Sequence, residues 1–531
     1  MDADRNWDAI VVGGGHNGLV CSFYLARAGL RTLVLEKNEQ VGGAAVSEEF
    51  HPGYRNSVAS YVVSLLRPEV VEDMALARFG YRTRRIDAAF YPRLDGRSLL
   101  LGGGEQADRA ALDAFASGAA AEMADFHALI GEIGPVIADQ WLRSPPRLHG
   151  AGVTDALSAL RTGRAFKRLS ARGRQRLLQF LGGSARALIE RHFSDPDLRA
   201  VMAAAALSGN YASLDQPGSA LPLLHHALGQ LDGKAGAWGI AVGGMGAITQ
   251  AMAAAAREQG VQIRTGAPVR RIRVRDGRVR GVELDSGEQL AADRVLANTD
   301  PKRTFLTLLD GADVPAGFAA DIAMIRMESA SLRMNLALKG LPDFRSRPGT
   351  EPGPQHRGFI VFVDTLAAVE ASFLSSRAGR FPQSPTVEAL IPSTNDETLC
   401  APGQHVMSLL AKYFPYDLAD DDWDRARDRA ADHVLAYLRR FIANLDDIVV
   451  ARQVLTPLDI ERRFGMTRGD IVHGRLEPDQ LFSMRPHPDA AQYATPIAGL
   501  YLCGSGSHPG GGVTGAPGYN AARRVIGDAR R

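Results

Sequence analysis

Cysteine is scarce in this chain. Cys21, Cys400 and Cys503 are its three cysteines; they lie far apart and form no C-x-x-C pair. That excludes a disulfide framework and a thiolate metal set, and it suits a reducing, cytoplasmic setting. Long apolar runs are lacking too, with no stretch approaching the roughly 18 residues that span a bilayer. The opening "MDADRNWDAI" is acidic and polar, without the basic and apolar regions of a secretory leader. An excess of one charge is missing, since the net value is only +2, so no nucleic-acid partner is expected. Zinc-type spacing, a nucleophile elbow, a P-loop and internal repeats are all absent, and no metal site is expected. What remains is an ordinary globular composition, 45% hydrophobic and 23% charged over 531 residues. That length suits two or more domains.

Glycine, by contrast, is abundant and placed with a pattern. In "IVVGGGHNGLVCSFYLARAGLRTLVLEKNEQVGG" the run Ile10–Val12 reads as a buried parallel strand. Gly13, Gly15 and Gly18 follow in G-x-G-x-x-G spacing: a tight turn, a close approach for a pyrophosphate, and close helix–strand packing. The segment from His16 to Ala28 suits a helix closed by Gly29, with the anion at its positive N-terminus. Arg31 to Leu35 make a second strand. Glu36 ends it about 20 residues after the glycines, where a carboxylate accepts ribose hydroxyls and repels a 2′-phosphate. Strand, glycines, helix, strand and acid in that order predict a dinucleotide fold.

Further along, helical periodicity covers Ala110 to Ile137 and much of Leu157 to Leu207. The latter contains the basic stretch "RTGRAFKRLSARGRQRLLQFL". It is either a solvated helix face or a surface for anionic lipid, so peripheral membrane contact stays open. "GGMGAITQAMAAAAREQG" reads as a glycine turn opening a helix. From Pro268 the turns Asp276-Gly277 and Asp285-Ser286-Gly287 predict a three-stranded meander, then a strand at Val295 to Ala297. "SASLRMNLALKG", "RGFIVFVD" and "HVMSLLAKYF" have strand character, and a helix is expected from Asp421 to Leu445. The chain closes with "AGLYLCGSGSHPGGGVTGAPGYNAARRVIG", a strand, a glycine turn and a helix.

This order predicts an α/β protein, a Rossmann-type dinucleotide-binding domain with an inserted mixed α+β substrate domain; the resemblance drawn below makes it an FAD-binding domain of the glutathione reductase/amine oxidase kind. The nucleotide-binding domain is expected from residues 1–80, 235–310 and 460–531, and the substrate and helical domain from 81–234 and 311–459. A second G-x-G-x-x-G is not evident. "LLLGGGEQADRAAL", with Gly102, Gly104 and Ala107, follows a hairpin signal rather than a βαβ unit. One dinucleotide site between distant segments favours a resident flavin over a diffusing nicotinamide.

"GGGHNGL", "LEKNEQVGG", "LPLLHHALGQLDGKAGAWGIAVGGMGAI", "DQLFSMRP" and "GLYLCGSGSHPGGGVTGAPGYNAA" are spread from end to end. Together they make the chain resemble the phytoene desaturase-like flavoproteins. The resemblance implies FAD, with Gly13, Gly15, Gly18, Glu36, Gly42 and Gly43 on its adenosine and pyrophosphate side. It implies Val269 beside adenine, and Gly504, Ser505, Gly512 and Val513 facing pyrophosphate and flavin. The last helix would then point its N-terminus at the ring's pyrimidine edge. Many of the wider amine-oxidase group have an acid where Ser505 stands; the desaturase branch does not.

The expected chemistry is an FAD-dependent dehydrogenase, desaturase or oxidase, passing hydride from a largely apolar small molecule to flavin N5. A redox-neutral isomerase, a reductase using reduced flavin, and a flavin-stabilised interaction protein are the alternatives. Oxygen and a quinone are both open as electron acceptors, and the oligomeric state is not legible. Candidate catalytic residues are His225, His226, His508, Tyr61 and Arg485. Each has a structural alternative: packing for the histidines, a salt bridge for Arg485, core for Tyr61. Cys503 as a covalent flavin attachment is weighed against a small buried strand residue.

Overall fold

Five short strands, mainly apolar except for 262–264, lie side by side in one parallel sheet. Their order is 262–264, 32–35, 9–12, 295–297 and 500–502. The computed structural model describes residues 7–148, 150, 152–207, 209–225 and 228–530; the side chains of Thr154 and His225 lie outside that description. Strand Ala9–Val12 is central, buried on both faces as a parallel strand must be. Helix His16–Arg27 leaves it, packing on the closing helix Ala516–Ala529 and on helix Met245–Glu258. The first and last parts of the chain therefore share one layer. The meander is present as strands Val269–Arg275, Arg278–Leu284 and Gln289–Ala291.

A second, seven-stranded sheet has the order 449–455, 331–338, 405–412, 386–390, 359–362, 89–92, 98–101. All its pairs are antiparallel except 359–362 with 89–92. Side chains alternate across such a strand, and register carries the alternation across the sheet. Met334, Leu409, Ala389 and Ile360 form one cross-strand row. They face a core shared with helix Trp423–Leu438. The adjacent row, Arg333, Leu410, Glu388 and Val361, faces the opposite way. Over that second face lies a helical layer, including Ala119–Ala138 and Pro196–Ala206, packed through Phe126, Phe180 and Phe193.

Two helical expectations are corrected. The stretch through Ala110–Ile137 is two helices, Glu105–Phe115 and Ala119–Ala138, because Gly118 turns the chain between them at φ 80°. The helix expected to reach Leu445 stops at Leu438, and a separate turn covers Leu445–Ile448. In the basic stretch Arg161, Arg164, Lys167, Arg168 and Arg172 are exposed, whereas Arg176 is buried. Val153, Leu157 and Leu160, on helix Val153–Arg168 with Arg161, Arg164, Lys167 and Arg168, are also exposed. No described helix is long and apolar enough to cross a membrane.

Candidate functional site

The glycines after strand Ala9–Val12 are fixed by contact. A Cβ on Gly18 would lie 2.2 Å from the Gly13 carbonyl oxygen, so helix and turn pack together only without one. Gly15 faces Gly43 across the loop, a Cβ on Gly43 coming 3.3 Å from the Gly15 Cα. Gly42 donates its N–H to the Gly14 carbonyl at 2.9 Å. Helix His16–Arg27 begins without a side-chain cap, so its first N–H groups are open to an anion.

Glu36 is buried at the end of the second strand. Its Oε2 accepts from Gly14 N at 2.8 Å, and its Oε1 accepts from Asn38 N and Nδ2, each at 3.0 Å. The carboxylate thus shapes the turn, and lone-pair positions remain on its two oxygens. From the other end of the chain, Ser505 accepts a 3.1 Å hydrogen bond from Asn17 Nδ2. Buried His16 Nε2, Asn17 Oδ1 and His473 Nδ1 have no partner among the described residues. Buried polar atoms rarely stay unpaired. Burial, with His473 nearby, pushes His16 down to about 4, so its ring is neutral at neutral pH.

These groups border one cavity of about 860 Å³, in the range of small-molecule sites. Its glycine-rich end is lined by Gly13, Gly15, Gly42, Gly43, Glu36 and Val269 on one side. Ser505, Gly512 and Val513 line the other. Gly18 and Gly504 stand behind this wall; a Cβ on Gly504 would lie 2.8 Å from the Asn298 carbonyl oxygen. The other end runs between the seven-stranded sheet and the helical layer, past Leu99, Leu101, Met123, Phe126, Ile130 and Met202. The open helix terminus, the glycine cradle and the orphaned polar atoms fit a dinucleotide, and the apolar end leaves room for a second molecule.

Of the catalytic candidates, Tyr61 lines this cavity. Its hydroxyl donates to Glu388 Oε2 at 3.1 Å, and the Arg333 guanidinium carbon sits 4.7 Å from its ring centroid. Burial, then the Glu388 charge, push its phenol well above the ordinary value; it stays protonated and donates. Arg485 and His508 do not line it. Arg485 is a buried clasp, donating to the carbonyls of Val472 (2.7 Å), Gly474 (3.0 Å) and Ser505 (3.0 Å). The salt bridge weighed for it is replaced by these carbonyls. His508 bonds Gln140 O at 3.0 Å through Nε2, and burial pushes it down to about 4. His226 and the His225 side chain lie outside the described residues. Cys503 is a free, fully buried strand-end residue beside Cys21.

Sequence reasoning passed over Arg333, Glu388 and Lys412. They stand on the cavity face of the second sheet, Lys412 Nζ 3.0 Å from Glu388 Oε1. A signal was present. Arg333 is a charge inside one mostly apolar strand, "SLRMNLAL", and Lys412 ends another, "HVMSLLAK".

A parallel sheet with an anion-binding first turn, closed by the chain's last segment over one cavity, defines a flavoprotein. The chain belongs to the flavin containing amine oxidoreductases, whose family model matches residues 18–304. It is 36% identical to the mouse (Mus musculus) pyridine nucleotide-disulfide oxidoreductase domain-containing protein 2, over 99% of this chain and 94% of that one. It is 27% identical to hydroxyneurosporene desaturase of Rhodobacter capsulatus, covering 98% of each. Among solved structures, a putrescine oxidase variant shares the fold at a TM-score of 0.61 and 16% identity, with 99% of each chain covered. The cofactor is FAD, and the chain is an FAD-dependent oxidoreductase.

Proposed function

We propose that this protein removes hydrogen from a largely apolar small molecule held between the seven-stranded sheet and the helical layer. The observation that carries the reading is the single cavity running from the glycine loops to that apolar end. The likeness to a desaturase over nearly the whole chain supports it.

When bound, FAD supplies a hydride acceptor at N5. The chain does the rest. Gly15 and Gly43 leave room for the pyrophosphate, and the uncapped helix offers its N–H groups to it. Glu36 would accept ribose hydroxyls, and Val269 would help hold the adenine. Ser505, Gly512 and Val513 form the second wall, with Gly504 behind it, and Asn17 ties it to the first. Phe126, Ile130 and Met202 exclude water and hold an apolar body by contact. Tyr61 keeps its proton, so it orients rather than abstracts.

The test is anaerobic. The purified yellow protein is mixed with cyclic and open-chain alkenes, alcohols and fatty acids, and flavin absorbance is followed. Bleaching by one of them, with a dehydrogenated product, is the expected result. Flavin that dithionite reduces but no apolar compound does would defeat the reading. Fast return of colour in air would identify oxygen as acceptor; slow return, corrected by a quinone, would identify the quinone.

A further inference from the structure

The apolar end of the cavity is not wholly apolar. Arg333, Glu388 and Lys412 sit on one face of three adjacent strands, and Arg333, Leu410 and Glu388 lie in one cross-strand row. Arg333 and Lys412 are each 1% exposed. All five Arg333 N–H donors are occupied: the Ala59, Ser57, Met334 and Leu409 carbonyls and Ser408 Oγ accept them at 2.7–3.1 Å. Its charge stays, but it has no donor left for a ligand. Lys412 is different. An ammonium has three donors, and among the described residues its one side-chain partner is Glu388 Oε1.

Two cations therefore stand against one carboxylate on this wall. A buried charge without a counterion is costly. Two unspent N–H bonds on a buried ammonium beside a cavity are costly as well. An anionic oxygen from the occupant relieves both.

We propose that the substrate is amphipathic, an apolar chain or ring bearing a carboxylate, and that Lys412 receives that carboxylate. Glu388 aims the ammonium, while Arg333 supplies an unscreened positive charge behind Tyr61. The carboxylate fixes which carbon of the chain lies toward the glycine-rich end. This rests on the apolar-substrate reading above and names its polar end.

The experiment uses the FAD-loaded protein and three probes of equal chain length: dodecanoate, dodecanol and dodecylamine. Binding is read from flavin absorbance changes and from calorimetry. Dodecanoate is expected to bind at least tenfold more tightly than dodecanol, and dodecylamine more weakly still. Lys412→Met should erase the preference for dodecanoate while leaving dodecanol binding within about twofold. Lys412→Arg should restore part of it. Should Lys412→Met fold poorly, the double variant Lys412→Met with Glu388→Gln removes the unpaired acid and must show the same loss.

Equal binding of the three probes by wild type would overturn the proposal. So would a preference that survives Lys412→Met, or a Lys412→Met effect confined to the flavin spectrum, which would assign the lysine to the cofactor. Flavin content and dithionite reduction are measured in the same samples. Intact reducible flavin in a wild type that binds the three probes equally sinks the carboxylate assignment alone; absent flavin sinks the oxidoreductase reading beneath it.

Discussion

The two sheets of this protein place their chemistry differently. In the five-stranded sheet the strands are anonymous, and function sits in backbone beyond their ends: Gly13 to Gly18 after one strand, Ser505 to Val513 after another. In the seven-stranded sheet the loops matter little to the cavity, and function sits on one face of the strands, in side chains of residues two apart. In the proposed reading the first sheet grips its cofactor with peptide groups that a side chain at Gly15 would obstruct. In that reading the second addresses the substrate with side chains, which stand out from the strand and leave the ladder to the backbone.

That contrast can be broken in order of expected effect. Gly15→Val should give colourless protein, because its branched side chain would fill the space between Gly15, Asn298 and Gly43. Flavin per protein, measured by absorbance after purification, checks it, and a full complement would refute the backbone grip. Arg333→Met should leave the Ala59, Ser57, Met334 and Leu409 carbonyls short of a donor. A loss of about 3–5 kcal/mol in unfolding free energy is expected from breaking such a buried network. A urea titration measures it.

Glu36→Ala should weaken FAD binding by roughly 1–3 kcal/mol, the value of charged hydrogen bonds. Flavin released on dilution measures that change. The smallest effect concerns His508, which bonds Gln140 away from the cavity. Its folded value near 4 lies below its unfolded value of 6.5. Between those values the unfolded chain binds more protons, so stability falls as pH drops through this window. About 2 kcal/mol should be lost between neutral pH and pH 5 on this account. Unfolding of His508→Gln across the same range should lack that component.

Legibility followed the same division. Gly13, Gly15, Gly18, Glu36 and the closing "GSGSHPGGGV" could be read because glycine spacing has few other uses next to a strand and a helix. The meander was marked by Asp-Gly turns. The break at Gly118 was missed because apolar periodicity continues on both sides of it. Glu388 and Lys412 were missed for a deeper reason. Their meaning depends on register between strands of distant segments, and a lone lysine ending an apolar strand looks like a solvated tip. Only the pairing of Thr386 with Lys412, and of Glu388 with Leu410, brings them onto one wall. Arg485 misled for the opposite reason: an arginine in a loop suggests an anion, whereas this one ties down carbonyls.

The Asn17–Ser505 hydrogen bond joins residues 488 positions apart. A ribosome must release the chain through Ser505 before the second wall exists. Until strand Leu500–Leu502 arrives, strand Val295–Ala297 is left as an unprotected edge. A flavin site with both walls in place therefore waits on this late-synthesised segment. A nascent chain interrupted before Leu500 would be an aggregation hazard rather than a weak enzyme.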